Sequence, residues 1–248
     1  MFNSYESEEE VMKNALKYTQ FIAAIIAVLS LSSISANTLA DEGVIRGKIS
    51  FGLANYVAPQ SGGDIKSNYS SLGVGATYIW PSNTFVDFTT RRSILDATYS
   101  AGSRSGDFSR TENILTVGMP LDGGMLGNAG IFNAETTNKV ASSAASQKII
   151  GVSVGIGKGF LIEGGKSGVV GVNGGVALLN ATNTSLSGVS SSSNLSYGLS
   201  VGATYNYVIN KTWSVSADGK FQSYLIKYSS FSGDERIISL AASLIGQF

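Results

Sequence analysis

Residues 151–160 read GVSVGIGKGF, which at first sight looks like a grip for nucleotide phosphates. A phosphate loop needs four residues between its first two glycines, then Lys and a hydroxyl residue. Here Gly151 to Gly157 is one residue too long, and Gly159 stands where Ser or Thr is required. The surrounding stretch also alternates like a strand and does not turn into a helix, so nucleotide binding is not expected.

Other chemistry is limited by what the chain lacks. It has no His and no Cys. That removes the commonest general base, the commonest metal ligand, the thiolate nucleophile and any disulfide framework. No cofactor is expected. Formal charge is balanced, 17 basic against 17 acidic residues, so nothing in the composition points to nucleic acid. Asn-X-Ser/Thr triplets begin at Asn180, Asn183, Asn194 and Asn210, among other positions. They read as Asn-rich turns, and the Ser-rich run 185–193 reads as a surface loop.

Charged residues are only 14% of the chain, about half the usual share, while Gly is abundant and Pro scarce. Such a composition favours strands and turns. Residues 1–40 are set apart. Lys13 and Lys17 precede an apolar run, Phe21 to Leu31, and small residues follow with cleavage expected after Ala36 or Ala40. This is the pattern of a secretory signal peptide, too short to cross a bilayer as a helix. The acidic residues before Met12 do not suit a signal peptide. Either translation starts at Met12 or the chain carries an acidic extension.

The rest, 41–248, repeats one grammar. In LGVGATY (72–78), Leu72, Val74, Ala76 and Tyr78 share one strand face, with Gly73, Gly75 and Thr77 on the other. LSVGATY (199–205) repeats the pattern almost letter for letter. Further alternating stretches run through Ile45–Leu53, Ile114–Met119, Ile150–Gly157, Val170–Leu178 and Trp213–Asp218. A soluble sandwich also alternates. Strands of about ten residues or more, sparse charge on the apolar faces and aromatics at strand ends favour a barrel in a bilayer. The expected interfacial aromatics are Tyr78, Trp80, Tyr205, Tyr207 and Trp213. The chain ends RIISLAASLIGQF, with Ile238, Leu240, Ala242, Leu244 and Phe248 on one face and Ile245 out of pattern.

GVGATY, a short turn and WSVSADGKF resemble the small opacity-type and porin-like bacterial outer-membrane barrels. The alternating final strand closed by Phe is similar to their assembly signal, here Leu240, Leu244 and Phe248. The resemblance implies an all-β, antiparallel up-and-down transmembrane barrel in the outer membrane. It also implies lipid and the barrel-assembly machinery as partners. It carries over no catalytic or binding residue, and the barrel enzymes of that group lean on a His that this chain lacks.

The pattern predicts about ten strands, with eight or twelve also compatible: 44–56, 67–80, 84–99, 110–120, 129–140, 148–160, 168–180, 194–208, 212–226 and 236–248. Short turns at 81–83 and 209–211 would face the periplasm. Extracellular loops would lie at 57–66, 100–109, 141–147, 181–193 and 227–235. The expected lumen charges are Arg46, Lys48, Asp87, Arg91, Arg110, Glu112, Glu135, Lys139, Asp218 and Lys220. Arg91 and Arg92 are adjacent, so one of them must leave the lumen face or sit at a bulge. Together these features predict a structural or weakly conducting porin-like protein with a narrow, partly plugged polar lumen, passing small solutes or ions at most. A surface adhesin acting through its loops is the alternative. A secreted soluble sandwich is a third class, and membrane fractionation separates it from both.

Overall fold

A computed structural model describes residues 43–58, 64–94, 97–102, 104–140, 143–163, 168–229 and 232–248. The expected signal peptide, 1–40, lies outside the described residues. The strands are β1 (Val44–Ala58), β2 (Ile65–Ile79), β3 (Phe85–Ile94), β4 (Thr98–Ala101), β5 (Arg104–Leu121) and β6 (Met125–Val140). They continue with β7 (Ser143–Leu161), β8 (Val169–Thr184), β9 (Ser190–Ser192), β10 (Ser196–Val208), β11 (Trp213–Lys227) and β12 (Ser232–Gln247). A 3₁₀ turn, Asp122–Gly124, joins β5 to β6.

All pairings are antiparallel, and β1 pairs with both β2 and β12, so the sheet closes on itself. β4 continues the line of β3 between β2 and β5, and β9 continues the line of β10 along β8. Twelve strands therefore make ten staves of one barrel. The closing seam is long, running from Arg46 opposite Gln247 to Val57 opposite Arg236. Beyond it, the Phe248 and Ile45 backbones exchange hydrogen bonds of 2.9 and 3.1 Å. No helix of the described residues is long and apolar enough to cross a membrane.

Strand parity holds throughout, but the polarity of the faces changes with height. In the section nearer the termini, outward residues are large, apolar and exposed: Phe51, Leu53, Leu115, Val117, Val152, Val154, Val176, Leu199 and Leu240 among them. Inward residues there are mostly small or polar, such as Ser50, Gly75, Thr89, Gly155, Ser200 and Ser216. This belt spans about nine residues per stave, roughly 20–25 Å of height at ordinary tilt. An exposed apolar girdle of that height belongs in lipid, and closure leaves no backbone edge for lipid to meet.

Past the belt the staves continue and turn inside out. Asn55, Asn68, Arg92, Asn133, Glu135, Lys148, Asn180 and Arg236 now face outward and are exposed. Tyr56, Phe108, Ala134, Ile149, Leu179, Ile226 and Ile237 face inward and are buried, forming the apolar core. Two outer Asn pairs, Asn55–Asn68 and Asn113–Asn133, hydrogen-bond across neighbouring strands at 2.8 Å where the change occurs.

The inversion explains why the expected extracellular loops are mostly strand. β5 begins at Arg104, β7 at Ser143 and β12 at Ser232, well inside the segments 100–109, 141–147 and 227–235. Their outward residues are polar, so by composition these segments read as loops. The connections at the opposite, terminus-bearing end, which faces the periplasm in outer-membrane barrels, are short as expected.

Candidate functional site: the barrel lumen

From the upper end downward, the lumen is first a packed plug and then a widening cavity. At the centre of the plug lies Arg110, on β5 and 2% exposed. Its guanidinium donates to Glu235 Oε1 of β12 at 2.9 Å, to Glu112 Oε1 at 2.9 and 3.1 Å, and to Thr136 Oγ1 at 2.7 Å. Glu235 is 1% exposed, and its other oxygen accepts from the Tyr56 hydroxyl at 3.3 Å. The Tyr56 ring also carries the guanidinium on its face, 5.4 Å from its centroid. Three staves (those of β1, β2 and β3) separate β5 from β12 by the shorter way round, so the Arg110–Glu235 pair spans the lumen. Two buried charges so paired and so fully hydrogen-bonded are tolerated where an isolated one would not be.

Rings fill the space around this pair. Phe108 packs between Tyr56 and Tyr69, with centroids 5.3 and 5.1 Å away. Lower down, Phe132 stacks on Tyr224 at 5.9 Å. Each of these rings lies over a glycine of the neighbouring strand: a Cβ on Gly151 would meet Phe132 at 2.6 Å, and one on Gly198 would meet Tyr224 at 2.7 Å. Gly151, the first glycine of the apparent phosphate loop, is therefore a seat for an aromatic ring.

Below the rings a second pair crosses the lumen, Arg91 of β3 with Asp218 of β11 at 3.4 Å. A cavity of about 70 Å³ lies against the Phe132 and Tyr224 rings, lined in part by Glu112, Lys220 and Gln222. The periplasmic end opens into a vestibule of about 740 Å³. Above the plug a cavity of about 40 Å³ lies between Tyr56, Asn138, Gln147 and Tyr228.

Eight of the ten expected lumen charges face inward: Arg46, Lys48, Asp87, Arg91, Arg110, Glu112, Asp218 and Lys220. Glu135 and Lys139 do not. They are exposed on the outer face of β6, while Ala134, Thr136 and Asn138 between and beside them are buried. The expectation that they face the lumen fails because in the upper section the polar face of the staves is the outer one. Arg91 takes the lumen and Arg92 the outer face, without a bulge between them. Glu235, the most buried charge of the plug, lies outside the expected strand 236–248, because β12 begins four residues earlier, at Ser232. Counting back in twos from Ser239 and Ile237 would have found it.

The expected interfacial aromatics all sit at the periplasmic end with outward parity. Tyr78 meets Trp80 edge to face at 4.8 Å, and Trp213 meets Phe248 edge to face at 6.4 Å. Leu240 and Leu244 face outward on β12. Among the described residues no group of three acidic side chains could hold a metal ion.

A closed antiparallel barrel with an apolar belt and aromatic ends is an outer-membrane β-barrel, and the chain is placed in the bacterial outer membrane. No family model and no curated protein matches the sequence. Solved structures do. The outer-membrane protease OmpT of Escherichia coli superposes with a TM-score of 0.58 at 9% identity, over 84% of this chain and 98% of that one. The β domain of the Bordetella autotransporter BrkA gives 0.43 at 13%, over 84% and 100%. Neisserial surface protein A gives 0.39 at 14%, over 79% and 95%. At 9% identity the likeness to OmpT is one of fold alone.

Proposed function

We propose that this protein is a non-enzymatic, structural outer-membrane barrel whose lumen is closed to steady solute flow and conducts weakly at most. The observation that carries this reading is the Arg110–Glu235 pair, buried at both ends and spanning the lumen. The aromatic packing around it supports the same reading. Recording from refolded protein in planar bilayers tests it. Small, intermittent currents or none are expected, and large steady currents would refute it. The likeness to the protease OmpT does not argue for proteolysis here, because this chain has no His and a fold is not an activity.

A surface-interaction role is the second reading, favoured by staves that rise past the belt with polar, exposed outer faces. Loss of host-surface or matrix binding when the outer charges of β6 and β7 are reversed would support it. Lipid is the proposed partner of the belt, and the barrel-assembly machinery that of β12. Deleting Phe248 should leave the protein periplasmic or degraded, and normal outer-membrane levels would sink that assignment.

A further inference from the structure

The vestibule has a two-part lining that the closed plug does not explain. Deep residues are polar: Arg46, Thr77, Asp87, Thr116 and Gln247. The rim is mostly apolar, with Val44, Ile79, Phe85 and Leu126 on it and Asn83 of the adjoining turn as its polar member. All four apolar rim residues have lumen parity, in a section where the other lumen positions are mostly Gly, Ser, Thr or Asn. Leu126 is 41% exposed inside this mouth. Apolar side chains that face water at the lumen end do nothing for lipid contact.

The charges at the vestibule floor are unevenly satisfied. Asp87 accepts from the hydroxyls of Thr77 and Thr89 and is tied to its own wall. Arg46 has only its Nε engaged, on Gln247 Oε1 at 3.0 Å, and among the described residues no carboxylate lies within ion-pair distance of it. Its two terminal nitrogens are open donors on the floor of the cavity. A guanidinium with free donors suits a carboxylate or phosphate. The volume lies in the range of ordinary small-molecule sites.

We propose that the periplasmic vestibule binds a single-chain anionic amphiphile, its head on Arg46 and its tail against Val44, Ile79, Phe85 and Leu126. Entry is from the periplasm, and the plug ends the site. The assignment holds whether or not the plug conducts, so bilayer recordings and ligand binding can fail separately.

The test uses full-length mature barrel in phospholipid nanodiscs with methyl labels on Leu, Val and Ile. The probe is octanoate. Butyrate supplies the head without the tail, and octyltrimethylammonium the tail with the opposite charge. Octanoate should shift the Leu126 and Val44 methyls saturably and leave Val154, in the lipid belt, unmoved. Arg46→Gln should weaken octanoate by about tenfold or more, the loss expected for a charged hydrogen bond. Arg46→Lys should restore much of it. Leu126→Arg should abolish the tail-dependent gain over butyrate. An unchanged belt spectrum shows that each variant is folded. Equal shifts at Val154, equal binding of the cationic probe, or an Arg46→Gln affinity like wild type would each overturn the proposal. Butyrate binding as tight as octanoate would overturn the amphiphile and leave an anion site alone.

Discussion

The lower and upper sections of this barrel are built from the same ten staves with opposite radial order. In the lower section, apolar residues face out, and lipid covers them. In the upper section, apolar residues face in, and they must cover one another. Ile150 and Ile149 are adjacent on β7; the first is 56% exposed on the belt and the second 1% exposed in the plug. Burial of apolar surface thus stabilises the upper section much as it does a soluble protein. The lower section depends on the bilayer. Closing the lumen and rising above the membrane are then one structural choice, because a stave section surrounded by water needs its core inside.

The sharpest way to break this contrast is to remove one charge from the plug. Arg110→Met leaves Glu235 buried without its cation and should cost about 3–5 kcal/mol in urea unfolding from lipid vesicles. The double variant Arg110→Met with Glu235→Leu should recover most of that loss. If the double variant is as unstable as the single one, the pair is not what sets the cost. Next in size is the belt. Val154→Arg should destabilise by about 2–4 kcal/mol if the side chain meets mid-bilayer lipid, whereas Ser153→Arg, one residue away and facing the lumen, should cost less. The reverse order would overturn the facing of β7. Smallest is the outer face of the upper section: Lys148→Leu should change stability by no more than about 0.5 kcal/mol. The pair Glu135→Gln and Lys139→Gln should leave any residual current and its ion preference unchanged. A shift in ion preference would put these two side chains back in the lumen.

Much of this architecture was legible in the sequence, and the part that was not is concentrated above the belt. Along 150–157 and 170–178 each outward residue is apolar and each inward one small or polar, so composition and parity agree. Along 131–139 parity continues from Ile131 to Glu135 and Lys139, but polarity no longer marks the lumen. The lumen side of this stretch is marked instead by Ala134, Thr136 and Asn138, so Glu135 and Lys139 stay outside. The polar outer residues of 227–235 give that segment the composition of a loop, although β12 begins within it and carries Glu235. Trans-lumen contacts were out of reach for another reason. Arg110 and Glu235 are 125 residues apart, and their meeting depends on stave order and stagger around the ring. No local pattern encodes that.

The seam between β1 and β12 has a kinetic consequence. Every other neighbouring pair of staves is joined by a short connection, so those hairpins form with little loop-closure entropy. The seam joins Arg46 to Gln247, 201 residues apart, and it is the one contact of high sequence separation between neighbouring staves. Until it zips, the sheet has two bare edges, whose unpaired amides and carbonyls hydrocarbon cannot satisfy. A partly inserted open sheet is therefore a high-energy species, and ring closure and entry into the bilayer are coupled into a single cooperative step. A variant that weakens the seam should show its effect mainly as slower insertion, with the interior of the finished barrel little changed.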